Sequence, residues 1–157
     1  MLAPVRWSDM DAYGHVNNVQ FLRLMEEARI QVLSVPGAEG EPTMLETGIV
    51  VARAEIEYLL PMTYRPEPVA IDLWVTDLGG ASFDIAYIFT DASAPEPSND
   101  LNEGLEAVYA RAETTLVPYN LRSNRPRRLT AGERSHLEAL RGPAQTWRRR
   151  PQRGAGA

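Results

Sequence analysis

Only one long segment of this chain carries apolar residues at helical spacing, and the segments after it alternate apolar with polar residues. In residues 17–34 the positions Phe21, Met25, Ala28 and Val32 follow the helical period, which predicts an amphipathic helix. Alternation or strand-like composition is found at residues 2–7, 52–58, 69–75, 83–89 and 108–116. One helix among these strands predicts an α+β fold in which a five-stranded antiparallel sheet wraps around one long central helix.

Capping and turn residues set the bounds of these elements. Asn17 is the predicted helix N-cap, because its side-chain oxygen can accept a hydrogen bond from a first-turn N–H. The Gly-rich residues 78–81 predict a hairpin, and residues 91–103, rich in Pro, Ser and acids, predict an exposed loop. A short helix is expected over residues 130–140. The predicted organisation is a single domain at residues 1–142 and a mobile Arg/Pro/Gly-rich tail at residues 143–157.

The composition excludes several classes of protein and of chemistry. The chain has 157 residues, enough for one domain with a full core. It contains no apolar run of about 20 residues, so we expect no membrane span and a cytoplasmic location. A net charge of −5 disfavours nucleic-acid binding. Because cysteine is absent, the chemistry depends on oxygen and imidazole groups and not on thiolates, disulfides or cysteine-bound metals.

The densest group of reactive side chains lies directly before the helix. Residues 8–18 read SDMDAYGHVNN and supply two carboxylates, a phenol, an imidazole and two amides. A helix N-terminus has unpaired N–H groups that can hold the oxyanion formed when an acyl carbonyl is attacked. The same residues also suit a structural loop in which the acids fill turns, Asn17 caps the helix and His15 packs at the core edge. The residues alone leave both interpretations open.

The motif resembles that of a known enzyme family. Residues 9–18 read DMDAYGHVNN, Phe21 follows, and residues 26–29 read EEAR. This pattern resembles the 4-hydroxybenzoyl-CoA thioesterase family, including its long-chain acyl-CoA thioesterase branch. Looser similarity continues through residues 58–61, 79–83 and 125–128. The resemblance covers roughly residues 2–140.

The resemblance carries expectations about fold, assembly and chemistry. It implies the hotdog fold and a homodimer with its two sites between the subunits, often paired further into a tetramer. The implied substrate is an acyl-CoA or an acyl carrier protein thioester, and no metal ion or other cofactor is required. Asp11, the second acid of the motif, would be the catalytic carboxylate, either as nucleophile or as general base on water. The acyl chain length stays open.

Two other groups of the motif are candidates for the chemistry. His15 matches a family histidine that would orient water, donate to the thioester oxygen or fix the loop. Tyr13 stands where related plant acyl carrier protein thioesterases have asparagine, so an Asp/Asn/His arrangement is not expected here. Its hydroxyl can still bind the carbonyl or water. The first helical turn, near residues 16–19, would hold the oxyanion.

The remaining candidates would bind or position the substrate. They are Val16, Asn17, Asn18, Glu26, Ser82, Arg125, Arg127 and Arg128. Asn17 and Asn18 would support the loop, and Glu26 would either face the thioester pocket or pair with a buried arginine. Ser82 lies in the hairpin that lines the pantetheine channel in the family. The arginines, together with Arg122, would either contact the phosphates of CoA or form a plain charged surface.

Two further functions are compatible with the sequence. Hotdog hydratases act on enoyl or hydroxyacyl thioesters and also use an acid and a histidine near a helix end. A non-catalytic acyl-CoA-binding module would keep the pocket without turning the substrate over. Hydrolysis of an acyl-CoA is the leading hypothesis.

Overall fold

The computed structural model describes residues 1–36, 40–92 and 108–148. The strands are β1 (Leu2–Ala3), β2 (Ile49–Tyr58), β3 (Val69–Leu78), β4 (Phe83–Asp91), β5 (Val108–Asn120) and β6 (Arg125–Pro126). The helices are α1 (Asn18–Leu33), α2 (Met44–Thr47) and α3 (Ala131–Glu138), and Trp7–Asp9 form a 3₁₀ turn. Most of the loop predicted at residues 91–103, and the predicted tail from residue 149 onward, lie outside the described residues.

The strands form one antiparallel sheet in the order β1-β3-β4-β5-β2, and β6 pairs with the end of β5. The predicted hairpin is confirmed, since the Gly79 N–H donates to the Ser82 carbonyl at 2.9 Å. Buried residues of α1 and of the sheet join in a single core. An antiparallel sheet curled around one long helix is the hotdog architecture. The predicted α+β fold is therefore confirmed, and the short β6 and α2 are the additions.

Helix α1 begins and ends where its sequence predicts. The Asn17 Oδ1 atom accepts the Val19 N–H at 3.0 Å, as expected of an N-cap. The residues that α1 buries are Phe21, Leu24, Met25, Ala28 and Leu33. The Phe21 ring meets the rings of Tyr58 and Phe89 edge-on, each with centroids 5.2 Å apart. Burial of such an aromatic side chain stabilises the fold by about 2–3 kcal/mol and fixes the first turns of α1 over the sheet.

The first strand is shorter than the prediction of residues 2–7, because β1 ends at Ala3. Pro4 follows, and proline has no N–H to continue a ladder. The chain then enters the 3₁₀ turn, where the Arg6 N–H donates to Asp9 Oδ2 at 2.8 Å. The segment expected to extend the sheet instead turns toward the acidic loop.

Strand β2 departs from its predicted burial. The alternation predicts that Ala52, Ala54, Ile56 and Tyr58 share a covered face, yet only Ile56 is half-buried and the other three are exposed. Strand β2 lies at the edge of the sheet and, among the described residues, pairs only with β5. A single chain therefore leaves the helix-facing side of β2 uncovered.

The residues after α3 run across the outer face of the sheet. The Trp74 Nε1–H donates to the Pro143 carbonyl at 2.7 Å, and Gln145 Nε2 donates to the Tyr87 carbonyl at 3.1 Å. Farther along, the Arg148 N–H donates to the Glu57 carboxylate at 3.1 Å. These hydrogen bonds therefore fix residues 143–148, the start of the predicted mobile tail, against the sheet. The domain boundary at residue 142 stays a prediction.

Within the described ranges, none of the helices is long and apolar enough to cross a membrane.

Candidate active site

The acidic loop is held at both ends by Asp9. The Asp9 side chain, only 6% exposed, accepts the Arg6 N–H and pairs with Arg23 of α1 at 3.2 Å. The Asp9 carbonyl accepts the Asn17 N–H at 2.8 Å. One residue therefore joins the start of the loop, the helix N-cap and the second turn of α1. This arrangement positions the intervening residues, which include Asp11.

The Asp11 carboxylate is oriented by backbone groups of its own loop. Its Oδ1 atom accepts the N–H of Tyr13 at 2.8 Å and the N–H of His15 at 3.2 Å. The Asp11 N–H donates to the His15 carbonyl at 2.7 Å, and Gly14 closes this turn with a φ of 78°, a left-handed conformation that favours glycine. Among the described residues, no group donates to Asp11 Oδ2. That oxygen is free to meet water or substrate.

The start of α1 offers one unused backbone donor. The N–H groups of Val16, Asn17 and Val19 donate to Met62 O, Asp9 O and Asn17 Oδ1, at 2.7, 2.8 and 3.0 Å. Of the described groups, none accepts from the Asn18 N–H. Of the backbone donors predicted to hold an oxyanion over residues 16–19, the Asn18 N–H is therefore the one left available to a ligand, because a donor already engaged in the fold cannot serve a ligand as well.

A cavity of about 380 Å³ opens beside these groups. Its lining residues are Asp11, His15, Val16, Asn18, Phe21, Tyr58, Leu59, Leu60, Pro61 and Met62. Asp11, His15 and Asn18 supply polar groups, whereas most of the other residues are apolar. The Tyr58 hydroxyl donates to the Asn18 carbonyl at 3.3 Å. Burial raises the pKa of Tyr58, so this hydroxyl remains a donor at neutral pH.

The structure separates the two candidate partners of Asp11. His15 lines the cavity and is exposed, and its backbone N–H is one of the two groups that orient Asp11. Tyr13 is 85% exposed and does not line the cavity, so its hydroxyl lies outside the group formed by Asp11, His15 and Asn18. Tyr13 contributes to the site through its backbone N–H.

Glu26 and Ser82 do not line this cavity. The Glu26 side chain is 61% exposed and lies 4.0 Å from the guanidinium of Arg29, whose side chain is only 13% exposed. Glu26 was expected either to face the thioester pocket or to pair with a buried arginine, and its position fits the second expectation. Ser82 lies in the β3–β4 hairpin, where its carbonyl accepts the Gly79 N–H.

The candidate arginines divide into one structural residue and two surface residues. The Arg127 guanidinium donates to the two carboxylate oxygens of Glu133, at 2.7 and 2.8 Å, and to the Thr47 hydroxyl at 2.6 Å. Because Glu133 is 2% exposed, these contacts occupy Arg127 in the fold, and the predicted phosphate contact does not suit it. Arg125 and Arg128 are exposed, and Arg128 lies beside Gly80 of the hairpin that also holds Ser82.

Sequence reasoning missed two contributors to the site. Tyr58 lines the cavity and contacts α1, and the Met62 carbonyl accepts the Val16 N–H that anchors the helix start. Residues 58–61 belong to the looser part of the family resemblance, which was the available signal. In the part of the chain that the structure describes, no three His, Asp or Glu side chains are grouped so that they could hold a metal ion.

Comparisons with known proteins identify the family of the chain. A family model described as the thioesterase-like superfamily matches residues 5–139. No curated protein matches the sequence.

Several solved structures are similar over most of the chain. A thioesterase from Thermus thermophilus, crystallised with coenzyme A and zinc, is 29% identical, with a TM-score of 0.68 over 92% of this chain and 95% of that one. A putative acyl-CoA thioesterase from Xanthomonas campestris is 30% identical, with a TM-score of 0.58 over 74% and 88% of the two chains. A predicted thioesterase from Bacillus stearothermophilus, 19% identical, has a TM-score of 0.74 over 92% and 97% and supports the fold.

Proposed function

The chain belongs to the thioesterase-like superfamily, and we propose that it hydrolyses an acyl-CoA to a free carboxylic acid and CoA, with Asp11 as the catalytic residue. The observation that carries this proposal is the juxtaposition at the cavity mouth. Among the described residues, Asp11 has one oxygen fixed by two backbone N–H groups and the other without a donor, and Asn18, whose N–H has no acceptor, lines the same cavity. A carboxylate and a helix-start N–H donor in one cavity are the minimum that acyl transfer needs.

Asp11 can serve the hydrolysis in either of two roles. As a general base, Asp11 Oδ2 takes a proton from water while the water oxygen attacks the thioester carbon, and the carbonyl oxygen becomes an oxyanion that accepts from the Asn18 N–H. Collapse then breaks the C–S bond and expels CoA as its thiolate, which takes up the proton. As a nucleophile, Oδ2 attacks first and expels CoA, and water then hydrolyses the mixed anhydride. A thioester suits both routes because a thiolate leaves readily.

The choice of CoA as carrier rests on relatives and on surface charge. The Thermus thermophilus structure contains coenzyme A, and the Xanthomonas campestris protein is a putative acyl-CoA thioesterase. Arg125 and Arg128 are exposed and can bind phosphate through their planar guanidinium groups, and Arg128 lies beside Gly80 of the β3–β4 hairpin. Arg127 is not part of this proposal, because Glu133 occupies it.

The activity test is release of free thiol from a panel of short, long and aromatic acyl-CoAs, followed with a thiol reagent. The protein contains no cysteine, so its own background is low. A hydratase would instead change the absorbance of crotonyl-CoA without releasing thiol. A binding module would bind acyl-CoA and release nothing, so either result would contradict the proposal.

We further propose that a second copy of the chain completes the site. Strand β2 has 10 residues and one unpaired edge among the described residues, and edges of this kind normally pair or are covered. Beside it, α1 exposes Val19 (61%), Leu22 (45%) and Ile30 (42%). Pairing of the two β2 edges would bury these side chains against the same surface of the partner, next to both cavities.

Leu22→Glu is expected to weaken this dimer by about tenfold or more and to lower thioesterase activity at the same protein concentration. The reason is that a carboxylate would lose water in the interface without gaining a partner. Sedimentation velocity over a dilution series measures the association. Gln31→Glu adds the same charge at an exposed position of α1 outside the apolar stripe and serves as the control. A wild-type protein that sediments as a monomer at high concentration would contradict the dimer.

A further inference from the structure

Residues 140–148, which we call the crossing segment, start at the β3 edge of the sheet. The Val75 N–H donates to the Leu140 carbonyl at 2.9 Å, and the Gly142 N–H donates to the Val75 carbonyl at 3.0 Å. Gly142 packs so closely on the Trp74 ring that a larger residue would not fit there. These contacts fix the start of the crossing segment on the outer face of the sheet.

From β3 the crossing segment runs over the strands in their spatial order. The Gln145 side chain donates to carbonyl groups of β4 and β5, at 3.1 and 3.4 Å. Arg111 of β5 donates to the Thr146 carbonyl at 3.1 Å. The Arg148 N–H then donates to Glu57 of β2 at 3.1 Å. Because the sheet order is β3-β4-β5-β2, the segment has reached the β2 edge of the sheet at Arg148.

A second cavity, of about 550 Å³, lies at this edge, and we call it the acidic cleft. Its charged lining residues are Arg53, Glu55, Glu57, Glu113 and Arg148, and Trp147 also lines it. Arg53 pairs with Glu55, and the Thr76 hydroxyl donates to Glu113 at 2.9 Å. Within residues 1–36, 40–92 and 108–148, neither Glu57 nor Glu113 forms an ion pair. The acidic cleft therefore suits a positively charged occupant.

The part of the chain that follows Arg148 has the matching charge. Residues 149–157 read RRPQRGAGA, with arginines at 149, 150 and 153 and no acidic residue. A guanidinium binds a carboxylate through paired N–H donors, and its flat face can stack on an indole such as that of Trp147. Charge complementarity and the place where Arg148 lies both point to residues 149–153 as the occupant.

The direction of the crossing segment favours the cleft of a second copy over the cleft of the same chain. In the dimer proposed above, β2 of the second copy would lie about 4.8 Å beyond the β2 edge. One extended residue spans up to about 3.5 Å, so the first residues after Arg148 can reach it without a change of direction. To enter its own cleft, the chain would have to reverse direction directly after Arg148.

We propose that residues 149–153 of each chain cross the β2 edge and bind the acidic cleft of the partner copy, so that the two C-terminal segments are exchanged across the dimer. This inference rests on the proposed dimer and is independent of the thioesterase chemistry. The exchange adds two charged contacts to each dimer. Because these contacts lie at the surface, salt screens them, and the dimer is tighter at low than at high ionic strength.

The first test measures the dimer of the full chain by sedimentation velocity over a dilution series. The tail variant carries Arg149→Gln, Arg150→Gln and Arg153→Gln, and the cleft variant carries Glu57→Gln and Glu113→Gln. Each should weaken the dimer by about tenfold, or about threefold for each of the two contacts. The loss should disappear at about 1 M salt, where the screening length is about 3 Å.

Glu41→Gln and Arg122→Gln are the controls, because both residues are exposed and lie outside the acidic cleft. Neither should change the dimer. Melting temperatures show whether each variant folds. The fold should tolerate Glu57→Gln, because the amide oxygen can still accept the Arg148 N–H.

Mixing the tail variant with the cleft variant distinguishes exchange from a contact within one chain. The mixed dimer keeps one exchanged contact, between the arginines of the cleft variant and the cleft of the tail variant, whereas either homodimer keeps none. Native mass spectrometry separates the three dimers by mass. With about threefold per contact, mixed dimers should make up about three quarters of all dimers, against about half for random pairing.

Random pairing of two weakened variants would assign the segment to the cleft of its own chain and overturn the exchange. Dimers of wild-type strength in both variants would overturn the inference and leave the dimer intact. A wild-type protein that stays monomeric at high concentration would overturn both. Thiol release from acyl-CoA tests the thioesterase proposal separately in each case.

Discussion

Asp11→Asn is expected to lower kcat for acyl-CoA hydrolysis by about 10²- to 10⁴-fold while changing KM little. An amide can neither take a proton from water nor attack the thioester carbon, so both possible roles of Asp11 are removed. The amide oxygen can still accept the Tyr13 and His15 N–H groups, which keeps the loop geometry. Steady-state thiol release at saturating acyl-CoA measures the effect.

The matched control for this variant is Asp72→Asn. Asp72 is exposed on β3, so this variant makes the same chemical change at a residue that does not line the cavity. Its kcat should equal that of the wild type. If Asp11→Asn turned over at the wild-type rate, Asp11 would have no catalytic role and the reaction would need another group in the cavity.

Arg127→Met is expected to destabilise the fold by about 3–5 kcal/mol, the range observed when one partner of a buried ion pair is removed. Glu133 is 2% exposed, and Arg127 meets both of its carboxylate oxygens, so the variant leaves a buried charge without compensation. Thr47 loses a hydrogen bond at the same time. Urea denaturation followed by circular dichroism measures the free energy of unfolding, and KM for acyl-CoA should stay unchanged for the folded fraction.

The loss of stability at low pH gives a second measure of the Arg127–Glu133 ion pair. Burial raises the pKa of Glu133, but hydrogen bonds from Arg127 and from the Thr130 N–H outweigh it, so the pKa lies below its usual 4.5. Stability from this carboxylate is therefore present above that usual value and is lost as the pH falls through the lower pKa of the folded state. Arg127→Met should lose most of this pH dependence.

Arg125→Met provides the surface control. Arg125 is exposed, so the free energy of unfolding should change by less than about 0.5 kcal/mol. If Arg125 binds a phosphate of CoA, the KM of the Arg125→Met enzyme for acyl-CoA should rise while its stability stays the same. Equal stability of Arg127→Met and Arg125→Met would contradict the structural role of Arg127.

The helix and the strand faces could be predicted because local patterns determine them. The period of residues 17–34 and the cap at Asn17 place α1 correctly, and alternation identifies β3, β4 and β5. The predicted first strand is longer than β1 because one proline removes a ladder donor at Pro4. The exposure of β2 could not be foreseen, since a strand pattern does not say whether its cover comes from the same chain.

The position of the candidate site in the sequence could be predicted, but the contacts of its residues could not. The motif points to Asp11 and to the helix start as candidates, but which N–H groups remain unengaged depends on distant partners such as Met62. The arginine segment shows the same limit, because sequence cannot tell Arg127, held by Glu133, from the exposed Arg125 and Arg128. Contacts between residues far apart in the chain decide each of these cases.

Hydrolysis of the thioester by water can be followed directly in a reaction with acyl-CoA in ¹⁸O-labelled water, carried over many turnovers and analysed by mass spectrometry. We expect equal amounts of free CoA and free carboxylic acid, with one ¹⁸O atom in each acid molecule. Intact thioester, or a thioester that has gained water across its acyl chain, would contradict it.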